Sequence, residues 1–248
     1  MRMGAFGWLR GLFGAKAQAV SRPEPRRIAS VAERSAEARG LFWSALWPAS
    51  DRILSSAPAG SLWPGGHEAY RLIHRGNAIL LATDGLSDPF DDSATANGFE
   101  IELFVEGPGE GAPAQVAGDG WMLEVLRRVA AIVAEEQGIL RPLERHGPIP
   151  LELTNVSSSA AIAARLPAHF LTADDVLGVM IGGPEPDFET RIENMPLSPV
   201  RAVPVVLLTA AELGEIRAGD SDTRDALIAR LQATGVGHCS DLQRESIV

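Results

Sequence analysis

The chain has 248 residues, 46% of them hydrophobic and 22% charged, with a formal net charge of −10 at pH 7. This is an ordinary globular composition, and a domain of this length buries roughly 70–75% of its unfolded surface. A single cysteine, Cys239, excludes a disulfide framework.

The charge is uneven. Residues 1–52 carry nine Lys/Arg and four Asp/Glu, a net of +5, while the remainder carries 13 and 28, a net of −15. So acidic a body repels phosphate backbones, so no nucleic-acid partner is expected. It suits a basic peptide or protein surface, and equally suits plain solubility. The lone cysteine fits a reducing, cytoplasmic compartment. One lysine (Lys16) against abundant Arg, Ala and Gly suggests a GC-rich, bacterial genome.

Residues 1–27 read as a basic tail and linker, poorly ordered or amphipathic. Phe6, Leu9 and Phe13 fall near helical spacing, but Arg10 interrupts an apolar run that needs about 20 residues to span a bilayer. Membrane contact through residues 1–20 and a signal peptide ending at Ala17-Gln18-Ala19 compete with a plain tail. Residues 28–248 read as one domain. A helix is predicted from Ile28 to Leu46, with Trp43 and Trp47 as packing anchors and Pro48 as its stop. Residues 55–66 read as a loop.

Ala69–His74 and Asn77–Ala82 read as strands broken near Gly76. Phe99–Val105 alternates, with Phe99, Ile101, Leu103 and Val105 on one face, and reads as a half-buried strand. Residues 107–120 read as irregular. Trp121–Gln137 places Met122, Leu126, Val129 and Val133 at helical spacing. Arg141–Pro150 reads as a proline-interrupted connection, Leu151–Thr154 as a short strand, and Ala160–Leu166 as a short helix. Val176–Ile181 and Val200–Leu208 are apolar strands, Pro204 arguing for an edge or a bulge in the second. Thr209 and Glu212 form a capping-box pattern that starts a helix running to Arg217, and Asp222–Gln232 is another. The tail from His238 reads as irregular.

Carboxylates are the candidate chemistry. Glu100 and Glu102 share a strand face about 6.5–7 Å apart, and Asp84, Asp88, Asp91 and Asp92 lie in the preceding turn. Such a cluster can serve as an acidic recognition surface, a glycosidase pair, a hard-cation site, or a solvated face with turn-capping aspartates. Asp88-Pro-Phe-Asp-Asp lacks the EF-hand spacing and its central glycine. There is no Gly-x-Ser-x-Gly elbow and no His-x-x-x-His pair, and Gly107-Pro-Gly-Glu-Gly lacks a phosphate-loop lysine. His238 and Cys239 are neighbours whose side chains point apart on an extended chain. No catalytic residue, cofactor or metal site is assigned.

Two segments carry a family pattern. One is Thr83-Asp84-Gly85-Leu86-Ser87-Asp88-Pro89; the other is Asn97-Gly98-Phe99-Glu100-Ile101-Glu102-Leu103-Phe104. Together they resemble the suppressor-of-fused family, which has a Gly-Leu-Ser-Asp turn, a short acidic loop, then Gly-Phe-x-x-Glu-Leu on a strand. The likeness extends weakly through His67–Leu81 and to Val205–Leu208 before Thr209-Ala-Ala-Glu-Leu.

The resemblance implies an α+β fold, a mixed, largely antiparallel twisted sheet flanked by helices. It implies a non-catalytic protein-binding domain, acting as an immunity protein that neutralises a toxin or as a regulatory binder. Animal members grip a peptide strand between two domains. This chain is shorter and shows no second, C-terminal domain, so that clamp does not carry over. The expected partner is a protein, basic in character, such as a toxin or a peptide strand. It would add to an edge strand bordered by Asp84, Asp88, Asp91, Asp92, Glu100 and Glu102. The competing expectation is a hydrolase or cation-dependent enzyme that uses the carboxylates from Asp84 to Glu102.

Overall fold

Ser30 starts the first helix, α1 (Val31–Leu46), with a reciprocal cap. Its hydroxyl accepts the Glu33 N–H at 3.1 Å, and the Glu33 carboxylate accepts the Ser30 N–H at 2.7 Å. The computed structural model describes residues 29–47, 53–55, 62–91, 95–109 and 120–248. The tail expected at residues 1–27 lies outside these, as do Asp92 and residues 110–119 of the expected irregular stretch.

Eight strands follow in one mixed sheet: β1 (Ile53–Ser55), β2 (Ala69–Arg75), β3 (Ala78–Thr83), β4 (Ile101–Pro108), β5 (Ile149–Thr154), β6 (Val176–Ile181), β7 (Arg191–Ile192) and β8 (Val200–Leu208). Their order is β1-β2-β3-β4-β8-β6-β5, with β7 beside β8. All pairings are antiparallel except β4 with β8. The helices are α2 (Trp121–Glu135), α3 (Leu140–His146), the single turn α4 (Ala160–Ala163), α5 (Ala210–Ala218) and α6 (Ser221–Ala233). The expected α+β architecture, a largely antiparallel sheet with flanking helices, is what the chain adopts.

Both faces of the sheet are covered. On one, α2 lays Met122, Val125, Leu126, Val129 and Val133 against Leu72, Leu81, Leu103 and Val205. Each such buried aliphatic side chain contributes about 1.5–3 kcal/mol. On the other, Trp43 of α1 packs with Ile73, Leu80, Ala82 and Phe104. Farther along that face, Leu227 and Leu231 of α6 pack with Met180, Val206 and Leu208. This second layer corrects the half-buried strand expected at Phe99–Val105. β4 starts at Ile101 and is buried on both faces as far as Gly107, because α1 covers the face expected to meet solvent.

Two proline assignments also change. Pro204 is central, not on an edge. It falls where β8 changes partner, since the β4 ladder ends at Pro204 and the β6 ladder begins at Val205. Its carbonyl still accepts the Gly182 N–H at 2.8 Å. The connection expected at Arg141–Pro150 contains α3 instead. Pro142 sits in its first turn, where no intrahelical N–H bond is lost.

Beyond Phe104, β4 and β8 part, and the C-terminal segment fills the gap. Cys239 bridges Glu106, the Ser240 N–H donates to the Glu106 carbonyl at 2.7 Å, and the Leu207 N–H donates to Ser240 Oγ at 3.0 Å. The tail expected to be irregular has no helix or strand, yet it is bonded into the sheet.

Candidate functional site

The turn from Asp84 to Asp88 is built around one carboxylate. Glu102 points from β4 into that turn and is fully buried. Its Oε1 accepts from Gly85 N–H at 3.1 Å, Ser87 N–H at 3.0 Å and Ser87 Oγ at 2.6 Å. Its Oε2 accepts from Thr83 Oγ1 at 2.5 Å and Leu86 N–H at 3.3 Å. A buried carboxylate holding successive backbone amides is a charge-assisted clamp on a tight turn. Gly98 closes the turn from below, at φ 49°. A Cβ there would stand 2.4 Å from the Leu86 carbonyl oxygen and 2.5 Å from that of Asp88. Gly98→Ala is therefore expected to cost more than the ~1–2 kcal/mol of left-handed strain alone, read as a fall in the urea midpoint. An unchanged midpoint would show that the turn yields freely.

Arg39 of α1 is the common cation. Its Nε lies 2.6 Å from Asp84 Oδ1 and 3.5 Å from Glu102 Oε1, and its Nη2 lies 2.7 Å from Asp88 Oδ1. Arg71 takes the other oxygen of Asp84 at 2.8 Å. Burial pulls the Arg39 guanidinium down, but the charges of Glu102, Asp84 and Asp88 outweigh it and hold the group above its usual value. Burial is the largest influence on Glu102 and Asp88 too. It raises both carboxyls despite the opposing charge of Arg39.

The six acidic residues expected to border a binding surface thus separate. Glu102 and Asp84 are buried, at 0% and 7% exposure, and point inward to partners within the chain. Asp88 is half-buried against Arg39, and Glu100 is half-buried just outside β4, at φ 61°. Only Asp91 is exposed, and Asp92 lies outside the described residues. Asp84 and Glu102 are thereby corrected from surface groups to interior ones. The expected pairing of Glu100 with Glu102 on one strand face also fails, because Glu100 precedes the strand in a left-handed conformation. As substrate groups for a hydrolase the inner pair is inaccessible. No group of three or more His, Cys, Asp or Glu side chains among the described residues is arranged to hold a metal ion.

Sequence reasoning missed Arg39 and Arg71, and it placed Thr83 and Ser87 in the family pattern without assigning them the Glu102 contact. For Arg39 a signal existed: Ser35, Arg39 and Trp43 recur every four residues, which places an arginine on the buried stripe of α1. Arg71 gave none, since only the register of β2 with β3 brings it to the turn.

Two further buried charge groups tie the C-terminal segment down. Glu106 accepts from Arg75 Nη1 at 3.0 Å and pairs with His238 Nε2 at 2.8 Å. Beside them, burial and the Glu106 charge push the Cys239 thiol up to about 11. Arg244 forks onto both oxygens of Glu212 at 2.6 Å and donates to the Leu207 carbonyl at 2.9 Å. Burial would raise Glu212, but the hydrogen bonds and charge of Arg244 hold it below the ordinary glutamate value of 4.5. A group depressed in this way stabilises fully above pH 4.5, and that stability drains as pH falls through the folded value. We expect Arg244→Met to lower the urea midpoint at pH 7 and to flatten its decline between pH 5 and pH 3. A decline as steep as wild type would mean that this pair is not its source.

The sheet has two ends. One is β1; the other is β5, which among the described residues pairs only with β6. Val176 turns its N–H and carbonyl away from β5, toward Thr172. By alternation, Leu177, Val179 and Ile181 bond Leu153, Leu151 and Ile149. Pro150, Glu152 and Thr154 therefore face outward. Arg128 Nη1 takes the Thr154 carbonyl at 3.2 Å. Among the described residues nothing pairs with the outward backbone N–H and carbonyl of Glu152, while its side chain is held by Arg217 on α5 at 2.8 and 2.6 Å. The hairpin expected to offer an edge, β3–β4, is interior, with β2 and β8 on its flanks.

A family model described as "Suppressor of fused protein (SUFU)" matches residues 71–245. The chain belongs to the suppressor of fused family. The matched span contains the Glu102 clamp and runs from Arg71 through Glu245, so the family pattern includes the buried turn, the β5 edge and most of the C-terminal wedge. No curated protein matches the chain. One solved structure, titled "the Sufu-Fu complex crystal structure", aligns at 12% identity over 85% of this chain and 88% of that one, with a TM-score of 0.48. Membership in the suppressor of fused family is consistent with a protein-binding role. Among the described residues, no helix is long and apolar enough to cross a membrane.

Proposed function

We propose that this suppressor-of-fused domain is a non-catalytic protein-binding module, and that its partner adds a strand to β5. The observation that carries this is the open N–H and carbonyl of Glu152 on a sheet edge. Unpaired strand groups of that kind are a template for another chain. Pro150 supports the edge assignment, since a proline is tolerated where the missing N–H faces away from the ladder.

The acidic body favours a basic partner, and long-range attraction raises the association rate more than the affinity. In this proposal Asp91 and Glu100 contribute to that field, while Asp84 and Glu102 serve the fold. Residues 28–248 act as one folding unit. Neutralisation of a toxin by a bacterial, cytoplasmic immunity protein is the specific role we favour, with a regulatory binder as the alternative. The test is affinity capture from the native cell followed by mass spectrometry, with wild type beside Glu152→Pro. A protein held by the first and released by the second is the expected result. A protein held equally by both would place the interface elsewhere.

A further inference from the structure

A concavity opens one residue before the β5 edge. It lies between α3, the Gly147–Pro148 link into β5, the connection from β6 to β7, the first half of β8 and α6, and it encloses about 920 Å³. That is within the ~300–1,000 Å³ of ordinary ligand sites. Its lining is mixed and more polar than apolar, with Pro148, Pro186, Phe188 and Ile228 forming the stiff apolar part. Prolines lose little freedom when a ligand is bound, which favours docking there.

Its charge is one-sided. Arg224 is spent on Asp225, with Nη2 at 2.8 Å. Glu144, Glu185 and Glu189 also line it, all exposed, and none forms an ion pair among the described residues. Against these three carboxylates stands one exposed guanidinium, Arg201.

We propose that this groove receives the continuation of the segment that pairs with β5, and that this continuation is an extended peptide bearing lysine or arginine side chains. The inference rests on the protein-binding reading above and adds the chemistry of the partner. The groove adjoins β5 through Pro148, the residue before Ile149, so it lies next to the end of the edge strand. The carboxylates match the charged tip of lysine and arginine, and the apolar patches of Pro148, Pro186, Phe188 and Ile228 match the aliphatic stem.

The test uses the full chain and a fluorescein-labelled decapeptide of alternating arginine and valine, with glutamate replacing arginine in the control peptide. The arginine peptide is expected to bind saturably, and the amide signals of Gly147, Gly182 and Gly183 should shift on titration. The triple variant Glu144→Gln, Glu185→Gln, Glu189→Gln is expected to weaken binding by about tenfold, from three exposed charge pairs of modest individual value. A reference triple variant on other exposed sites, Glu37→Gln, Glu135→Gln, Glu136→Gln, none of which lines the groove, should change it by less than about twofold, because distant exposed charges are screened. Equal weakening in both triples, or no shift at the three glycines, would overturn the groove. Capture of a native partner that Glu152→Pro releases but the groove triple retains in full would overturn the groove alone and leave the binding module standing.

Discussion

Arg39→Met is expected to lower stability by about 3–5 kcal/mol, the usual cost of removing one partner from a buried ionic group. Asp84, Asp88 and Glu102 share this guanidinium, and among the described residues only Asp84 forms an ion pair with a second arginine, Arg71. Methionine fills the volume but leaves Glu102 and Asp88 charged in a low-dielectric interior. Against a typical total of about 5–15 kcal/mol, a loss of that size leaves the protein marginal at 37 °C. Urea unfolding followed by tryptophan fluorescence measures it. Arg39→Lys should fall between, since it keeps the charge but not the fork that reaches Asp84 and Asp88 together. The sign of the pH response gives an independent check. Burial already raises Asp88 and Glu102, and loss of Arg39 raises them further. A carboxyl whose folded value exceeds its unfolded one takes up a proton on folding. The variant should therefore recover stability, relative to wild type, as pH falls from 7 toward 5. A variant that tracks wild type at every pH would show that Arg39 is not the counter-charge of this group.

Glu152→Pro should abolish partner capture, by at least about tenfold in affinity, and shift the melting temperature only slightly. The reason is backbone direction. The ladder to β6 uses Ile149, Leu151 and Leu153, so the N–H that proline removes is the outward one. Proline also deletes the Arg217 contact, which is solvent-exposed and worth little. Glu152→Ala separates the two effects, because it removes the same side chain and keeps the N–H. Capture by Glu152→Ala and failure by Glu152→Pro is the signature of strand addition. Equal failure of both would assign the contact to the side chain. Equal success of both would move the interface off β5.

Much of the fold was legible in the sequence because it is written locally. Val176–Ile181 and Val200–Leu208 are strands with the expected bounds, since continuous apolar runs between turn residues leave few alternatives. The Thr209–Glu212 capping box forms as the pattern demands, with Glu212 Oε2 accepting the Thr209 N–H at 2.8 Å. α2 follows from its apolar stripe. What failed is non-local. α1 covers the second face of β4 from 50 residues away or more, so alternation in β4 could not reveal that both faces are dry. Glu102 reads as a surface acid when its strand is taken alone.

The turn at Thr83–Asp88 with its following Gly98-Phe99 and Glu102-Leu103 was determined by sequence as a family mark, because a tight turn held by one carboxylate tolerates few other residues. The sequence also determined the acidity of the body and the absence of disulfides. Only the tertiary structure decided where that acidity acts. Arg39, Arg71 and three layers of packing turn Asp84 and Glu102 inward. They become groups that hold the fold, because a charge surrounded by apolar side chains survives only beside its counter-charge. The same packing places β3 and β4 mid-sheet and leaves β5 at the rim. In our proposal the open backbone of Glu152, not the acidic hairpin, is therefore the surface offered to another chain.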